Sequence, residues 1–261
     1  MDNYAVSEAG KLIWDTWQAS GRIESIPAAC RPSSRSEGYR VQAEVARLSG
    51  QGLFGWKIAA TSEAGQKHIG VEGPLAGRLL EKRVFDSGAE VSLANNIMNV
   101  AEAEFAFRMA VDLTPRKTNY STSEVLAAVA SLHPAIEIPD SRYHEFAKVG
   151  APQLIADCAC ASYFVLGPAT VADWRQIDLA EHRATAWVNG KLAREGKGAN
   201  VLGDPRTALT WIVNELSLTG DTLRAGQVVT TGTCVIPVEI AHGDHVVADF
   251  GSIGRVEARM T

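Results

Sequence analysis

The stretch MNVAEAEFAF, Met98 to Phe107, sets Glu102 and Glu104 one residue apart inside an otherwise apolar run. On an extended strand alternate side chains share a face. The two carboxylates therefore stand on one side, roughly 7 Å apart, with Ala103 and Phe105 turned the other way. A second apolar run, LHPAIEIPDSRY, holds Glu137 between Ile136 and Ile138 before Pro139 and Asp140 end it. Carboxylates in buried strands are rare unless paired or bound to a metal. Protonation, a nearby Lys or Arg, or a divalent cation would each relieve their repulsion, and such oxygen ligands suit Mg²⁺, Mn²⁺ or Ca²⁺. Lys57 interrupts FGWKIAA in the same way, and a buried ammonium needs a partner. Taken singly, the glutamate pair reads equally well as the solvated face of an edge strand, and Lys57 as a snorkelling side chain. Three glutamates in two apolar strands are hard to place on a surface.

Strands near 55–60, 101–108, 134–138, 161–166, 184–189, 227–232 and 244–258 would carry these residues, each a β-branched or aromatic run bounded by Gly, Pro or Asn. Asn189-Gly190 predicts a two-residue hairpin. Before them, SEAGKLIWDTWQASG behind a Ser7 cap and SEGYRVQAEVARLSG from Ser36 to Gly50 predict amphipathic helices. Two further helices follow: STSEVLAAVASL, opened by the capping-box pair Ser121 and Glu124, and DPRTALTWIVNELSLTG, with Asp204 as cap, Pro205 in its first turn and Gly220 at its end. Strand spacing is too irregular for a doubly wound sheet, and no P-loop occurs. The expected architecture is α+β: a mixed or mainly antiparallel β core over 53–261, with a helical N-terminal lobe over 1–52.

With 261 residues and 46% hydrophobic content the chain can bury a substantial core. A net charge of −5 without basic runs argues against nucleic acid or an anionic membrane as partner and favours a small molecule. No window is long and apolar enough to span a bilayer, and the start MDNYAVSEAGKLIWDTW does not read as a signal peptide. Cys30, Cys158, Cys160 and Cys234 form neither a disulfide framework nor a zinc motif; they read as core residues of a cytoplasmic protein.

The runs GWKIAATSEAGQKHIGVEGPLAGRLL, AEAEFAF, AIEIPDSR, LIADCACASYFVLG, VLGDPRTALTWIVNEL and VVTTGT, in this order, resemble the 2-keto-4-pentenoate hydratase and 4-oxalocrotonate decarboxylase branch of the fumarylacetoacetate hydrolase superfamily, over about residues 10 to 260. The resemblance implies a catalytic β-roll and Mg²⁺ or Mn²⁺ held by Glu102, Glu104 and Glu137. It also implies a 2-oxo or 2-hydroxydienoic acid as substrate, a homo-oligomer, and Lys57 as the residue that moves a proton or steadies an oxyanion. A metal chelating the C1 carboxylate and C2 oxygen would stabilise the enolate. Gly232 and Thr233 could donate to the substrate carboxylate, with Asp157 and Cys160 in the polar lining.

Two departures bear on the reaction. Leu75 and Ala76 occupy the place of an acidic residue found in many hydratases, and ADCAC replaces ADNAS, putting Cys158 and Cys160 where an amide and a serine are usual. His68 and Glu72, in TSEAGQKHIGVEG, could instead activate water as a His–Glu pair does in the C–C hydrolases of the superfamily, though their spacing from the preceding strand differs from that motif. His133, His242 and His245 read as surface or turn residues. The leading expectation is hydration of a 2-hydroxy-2,4-dienoate to a 4-hydroxy-2-oxo acid. Acylpyruvate C–C hydrolysis, 2-oxo acid decarboxylation and a non-catalytic partner subunit are the alternatives.

Overall fold

In the computed structural model, which describes residues 1–261, helices α1 (Asn3–Gln18) and α2 (Arg35–Ser49) precede the first strand. Asp2, not Ser7, caps α1 by accepting from the Ala5 N–H; a good cap five residues upstream leaves Ser7 exposed inside the helix. Ser34 caps α2, and Gly50 closes it in the left-handed region.

Strands β1 (Leu53–Ala59), β2 (Leu75–Leu80), β3 (Val84–Asp86), β4 (Ala89–Val91), β5 (Val100–Met109), β6 (Val129–Ile138) and β7 (Tyr163–Leu166) follow, with short helices α3 (Glu63–Ile69), α4 (Thr122–Ala127) and α5 (Ala151–Ala156) between them. The second half adds β8 (Arg183–Val188), β9 (Lys191–Lys197), helix α6 (Pro205–Thr219), β10 (Val228–Thr233), β11 (Val238–Glu239), β12 (His245–Asp249) and β13 (Arg255–Met260). Asn189 and Gly190 both take positive φ and join β8 to β9, as a tight hairpin requires. The capping box at Ser121 and Glu124 forms. The helix expected to run through residue 132 stops at Ala127, because Val129 onward is taken into the ladder with β5. The single run expected over 244–258 is two strands separated by a turn at 251–253. Strand β2, LAGRLL, was not anticipated: all six residues are buried, so no alternation marks it.

One sheet is ordered β2-β1-β10-β5-β6-β7-β3, with β11 added beside β5; the other is β4-β13-β12-β8-β9. Parallel pairs (β1 with β10, β3 with β7, β4 with β13) mix with antiparallel ones. Strand β5 is therefore central, which removes the edge-strand reading of its glutamates. Glu102 faces Glu137 across the β5–β6 ladder, and Glu104 faces Thr233 across β5–β10. The opposite face of β5 is anchored by Phe105, fully buried and edge-on to Phe250 at 4.8 Å between ring centroids. Truncating such a ring to Ala costs about 3–5 kcal/mol, so the strand's register is held from behind. Residues of α1 and α2 share one apolar cluster with Ala106, Ala135 and Phe164 of the sheet.

Candidate active site

Strand pairing brings one oxygen from each of Glu102, Glu104 and Glu137 to within 4.8 Å of the others. Glu104 and Glu137 are fully buried. Glu104 Oε2 accepts from Thr230 Oγ1 at 2.5 Å and from the Gly232 N–H at 2.8 Å, while its Oε1 is buried without a partner. Lys57 Nζ lies 3.1 Å from Glu137 Oε1, close enough for an ion pair but outside hydrogen-bond geometry, so neither Glu137 oxygen accepts a hydrogen bond. The ammonium donates instead to the Ala159 carbonyl at 2.8 Å.

The electrostatics follow from this crowding. Burial raises the pKa of Glu102, with Lys57 pulling it back. Burial, then Glu137 and Glu102, push Glu104 well above the usual carboxylate range. Glu137 is raised to about 7 by burial, against the opposing pull of Lys57. Burial alone would depress the Lys57 pKa, but Glu137 and then Glu102 outweigh it and hold the ammonium charged. Fully ionised, three carboxylates and one ammonium would leave two negative charges, which a divalent cation would cancel. Orphaned buried oxygens, all hard donors, are what a Mg²⁺- or Mn²⁺-type ion would satisfy.

The cluster opens on a cavity of about 380 Å³ whose lining includes Lys57, His68, Glu102, Cys160, Gly232 and Thr233. Glu104 and Glu137 stand behind Glu102, outside the lining itself.

Three expectations need correction. Asp157 does not reach the cavity: its carboxylate is held by the Arg142 guanidinium, the Arg142 N–H at 3.1 Å and Ser141 Oγ at 2.8 Å. Gly232 and Thr233 line the cavity, but the Gly232 N–H is committed to Glu104 and the Thr233 hydroxyl donates to the Val235 carbonyl at 2.7 Å. Both serve the ligand strand first. His133 is a buried strand residue, with Nδ1 bonded to the Gly167 carbonyl and Nε2 to Ser131, and burial lowers its pKa. His242 does fall in the exposed turn before β12, whereas His245 is the half-buried first residue of that strand, its Nε2 meeting Glu257 at 2.8 Å.

His68 lies exposed on α3 at the cavity wall, edge-on to Phe146 with centroids 6.1 Å apart. It has no hydrogen bond to Glu72, which lies outside the lining, so no His–Glu pair forms. Cys160 is buried at the wall; burial pushes its thiol up to about 12 and keeps it neutral. Cys158 and Cys234 are likewise buried, whereas Cys30 is only half-buried.

Two contributors escaped the sequence reading. Thr230 places a hydroxyl on Glu104, and Thr61 packs its Oγ1 2.1 Å from where a Cβ on Gly232 would stand, so that position must be glycine, all the more at φ +104°. Thr230 could have been found from a polar residue repeating in the apolar run VVTTGT. Nothing in the sequence signals the backbone at 158–160. Cys158, Ala159 and Cys160 take φ of 50°, 52° and 63°, three successive non-glycine residues in the left-handed region, at about 1–2 kcal/mol each. Arg142 clamps that turn, donating to the Asp157 carbonyl on one side and the Ala161 carbonyl on the other. The clamp aims the Ala159 carbonyl at Lys57.

Residues 81–261 match the family described as fumarylacetoacetate (FAA) hydrolase C-terminal. Over its full length the chain is 32% identical to a 2-keto-4-pentenoate hydratase of Burkholderia vietnamiensis, covering 98% of that protein. It is 30% identical to a 4-oxalocrotonate decarboxylase of Pseudomonas putida over 86% of this chain and 84% of the relative. Among solved structures, a 4-oxalocrotonate decarboxylase from Pseudomonas putida G7, complexed with magnesium and adipate, superposes with a TM-score of 0.90 at 26% identity, covering 100% of this chain and 99% of the other.

Proposed function

The chain belongs to the fumarylacetoacetate hydrolase family, and from that membership we propose that it is a divalent-metal-dependent hydro-lyase adding water to a 2-hydroxy-2,4-dienoate, giving a 4-hydroxy-2-oxo acid. The observation that carries the reading is the set Glu102, Glu104 and Glu137, with three orphaned buried oxygens, beside a buried Lys57 at the foot of a cavity. Hydratases of 2-keto-4-pentenoate and 2-hydroxyhexa-2,4-dienoate among the relatives support it.

In this reading the three glutamates hold Mg²⁺ or Mn²⁺, with Thr230 and the Gly232 N–H orienting Glu104. A divalent cation bound there supplies Lewis-acid charge beside the substrate's C1 carboxylate and C2 oxygen. Conversion of the dienol to its 2-oxo form moves a proton from the C2 hydroxyl to the carbon chain, after which water adds at C4 and a proton at C3. Lys57 is the buried group able to carry a proton, held between Glu137 and the Ala159 carbonyl. With the Cys160 thiol neutral, Leu75 apolar and Glu102 taken as a metal ligand, His68 is the one other titratable side chain on that wall. His68 keeps a place at the wall without an orienting partner, which favours hydration over the C–C hydrolase alternative. Residues 53–261 carry the chemistry and 1–52 brace it. No helix is long and apolar enough to cross a membrane; we place the reaction in the cytoplasm, with copies of the chain assembling together.

The test is an ultraviolet turnover assay on metal-stripped protein with Mg²⁺ or Mn²⁺ restored, offering 2-hydroxypenta-2,4-dienoate beside fumarylpyruvate. Metal-dependent loss of the dienoate to a 4-hydroxy-2-oxo acid is expected. Release of pyruvate from fumarylpyruvate alone would replace the reading with C–C hydrolysis.

A further inference from the structure

Beyond its metal end, the cavity has a one-sided chemistry. Its charged and titratable lining is confined to Lys57, Glu102, His68 and Cys160; the remaining wall is largely apolar, built by Leu75, Ile97, Met98, Phe146 and Leu154 among others. No arginine lines it. Lys57 is already engaged by Glu137, and Glu102 would repel a second anion. The lysines nearest in sequence to the wall residues do not supply one either: Lys67 is exposed and outside the lining, and Lys148 is paired with Glu145 on the outer surface. Apart from the neutral hydroxyls of Thr61, Ser62 and Thr233, His68, exposed at the wall and edge-on to Phe146, is the one remaining side chain a distal anion could meet, and the only one of these able to carry positive charge.

Size points the same way. About 380 Å³ is room for roughly a dozen water volumes at about 30 Å³ each, whereas a five-carbon 2-hydroxydienoic acid has eight non-hydrogen atoms, bonded and so more closely spaced than waters. Space is left over, and apolar side chains bound it. A carboxylate placed in that space would be stripped of water with no cation to pair it, while methylene or aryl carbon would gain from burial.

We propose that the substrate is a 2-hydroxydienoic monocarboxylate with an uncharged apolar tail longer than that of the five-carbon acid, and that Ile97 helps enforce this choice. The inference rests on the hydratase reading for its reaction but not for its binding preference. Ile97 is a useful probe because it lines the cavity while 44% exposed, so a larger or charged side chain there need not disturb the core. Leu75 and Leu154, both fully buried, would be poor choices for the same change.

Two experiments keep the parts separable. Wild-type protein with Mg²⁺ is assayed on 2-hydroxydienoates of five, six and eight carbons and on a 1,7-dioic analogue. The expected result is a kcat/KM that rises about fourfold per added methylene and falls at least about a hundredfold when the tail ends in a carboxylate. Ile97→Arg should narrow that gap by tenfold or more, lowering the long monoacid and raising the diacid. A diacid used as well as the monoacid, or the five-carbon acid preferred over its longer homologues, would overturn the proposal while leaving the hydratase reading intact. In parallel, Mg²⁺-dependent binding of the saturated acids 2-oxooctanoate, 2-oxohexanoate and 2-oxoadipate is measured by calorimetry. Tighter binding of the long monoacid supports the tail site even if no dienoate turns over, an outcome that would remove only the reaction. Tighter binding of 2-oxoadipate overturns the tail site whatever the assay shows.

Discussion

Arg142 and Asp157 are as deeply buried as Lys57 and Glu137, with side chains 1% and 0% exposed against 3% and 1%. Their surroundings differ in one respect. Arg142 spreads its donors over Asp157, Asp140 and Ala161, and Asp157 takes up Ser141 and the Arg142 N–H; no polar atom of this pair is left over. Around Lys57, by contrast, Glu104 Oε1 and both oxygens of Glu137 are buried with no hydrogen bond. Desolvating an ion costs several kcal/mol unless partners replace the lost water. The first cluster recovers that cost within the fold. The second recovers it only in part, through Lys57 and the donors to Glu104 Oε2, and at the edge of a cavity the missing partners are the ones a cation would supply.

The comparison predicts opposite responses to mutation. Glu104→Gln should lower kcat/KM at least about a thousandfold, yet leave the melting temperature of metal-free protein unchanged or higher, since it removes a carboxyl group whose ionised form burial and its two neighbours already disfavour. A loss of fold together with activity would make the glutamate cluster structural after all. Arg142→Ala should behave inversely, destabilising the protein by about 3–5 kcal/mol in urea titrations because Asp157 is left buried and unpaired. Replacing both Arg142 and Asp157 by apolar residues of similar volume should recover most of that loss; failure to do so would show that the guanidinium is needed chiefly to clamp the 158–160 turn.

Metal removal sharpens the contrast at smaller scale. Mg²⁺ at a hundredfold over its Kd should stabilise wild type by about 2.7 kcal/mol, or about 5–10 °C in melting temperature for a chain of this size, and should do nothing for Glu104→Gln. Smaller still is the pH effect. Burial raises the folded-state pKa of Glu137 to about 7 from an ordinary 4.5. Between those values the folded chain keeps a proton that the unfolded chain has released, so metal-free stability should fall as pH rises from about 4.5 to about 7. Saturating Mg²⁺ should flatten or reverse the trend, because binding requires the carboxylates ionised. Calorimetric scans across this range in EDTA and in Mg²⁺ read both signs directly.

How much of this could be read from the residues depends on what each signal is made of. Glu102, Glu104, Glu137 and Lys57 were legible because a charge in a period-2 apolar run violates a strong rule, and the strands that carry them lay where alternation put them. Helix ends fixed by Asp204, Gly220 and the Ser121–Glu124 box were legible for the same local reason. Strand β2 was not, since burial on both faces erases alternation. The family resemblance puts Asp157 with Cys160 in the lining, but the three left-handed residues that follow Asp157 turn Cys160 toward the cavity and leave Asp157 on Arg142. Backbone conformation of that kind has no residue-type signature when glycine is absent. Gly232 and Thr233 lay at the right place with the wrong task, because which acceptor an N–H serves is settled only once β10 and β5 are in register.

The parallel pairing of β1 with β10, Gly55 beside Val228 and Lys57 beside Thr230, has a consequence for how the molecule is made. During synthesis β1, β5 and β6 leave the ribosome long before β10 exists. Contacts so distant along the chain close slowly. Until residues 228–233 arrive, β1 has only β2 for a partner, β5 presents an open edge, and Glu104 lacks both of its hydrogen-bond donors. An unfinished chain therefore exposes two strand edges able to pair with another copy. The strand that completes the cavity is also the one that seals the sheet against misassembly.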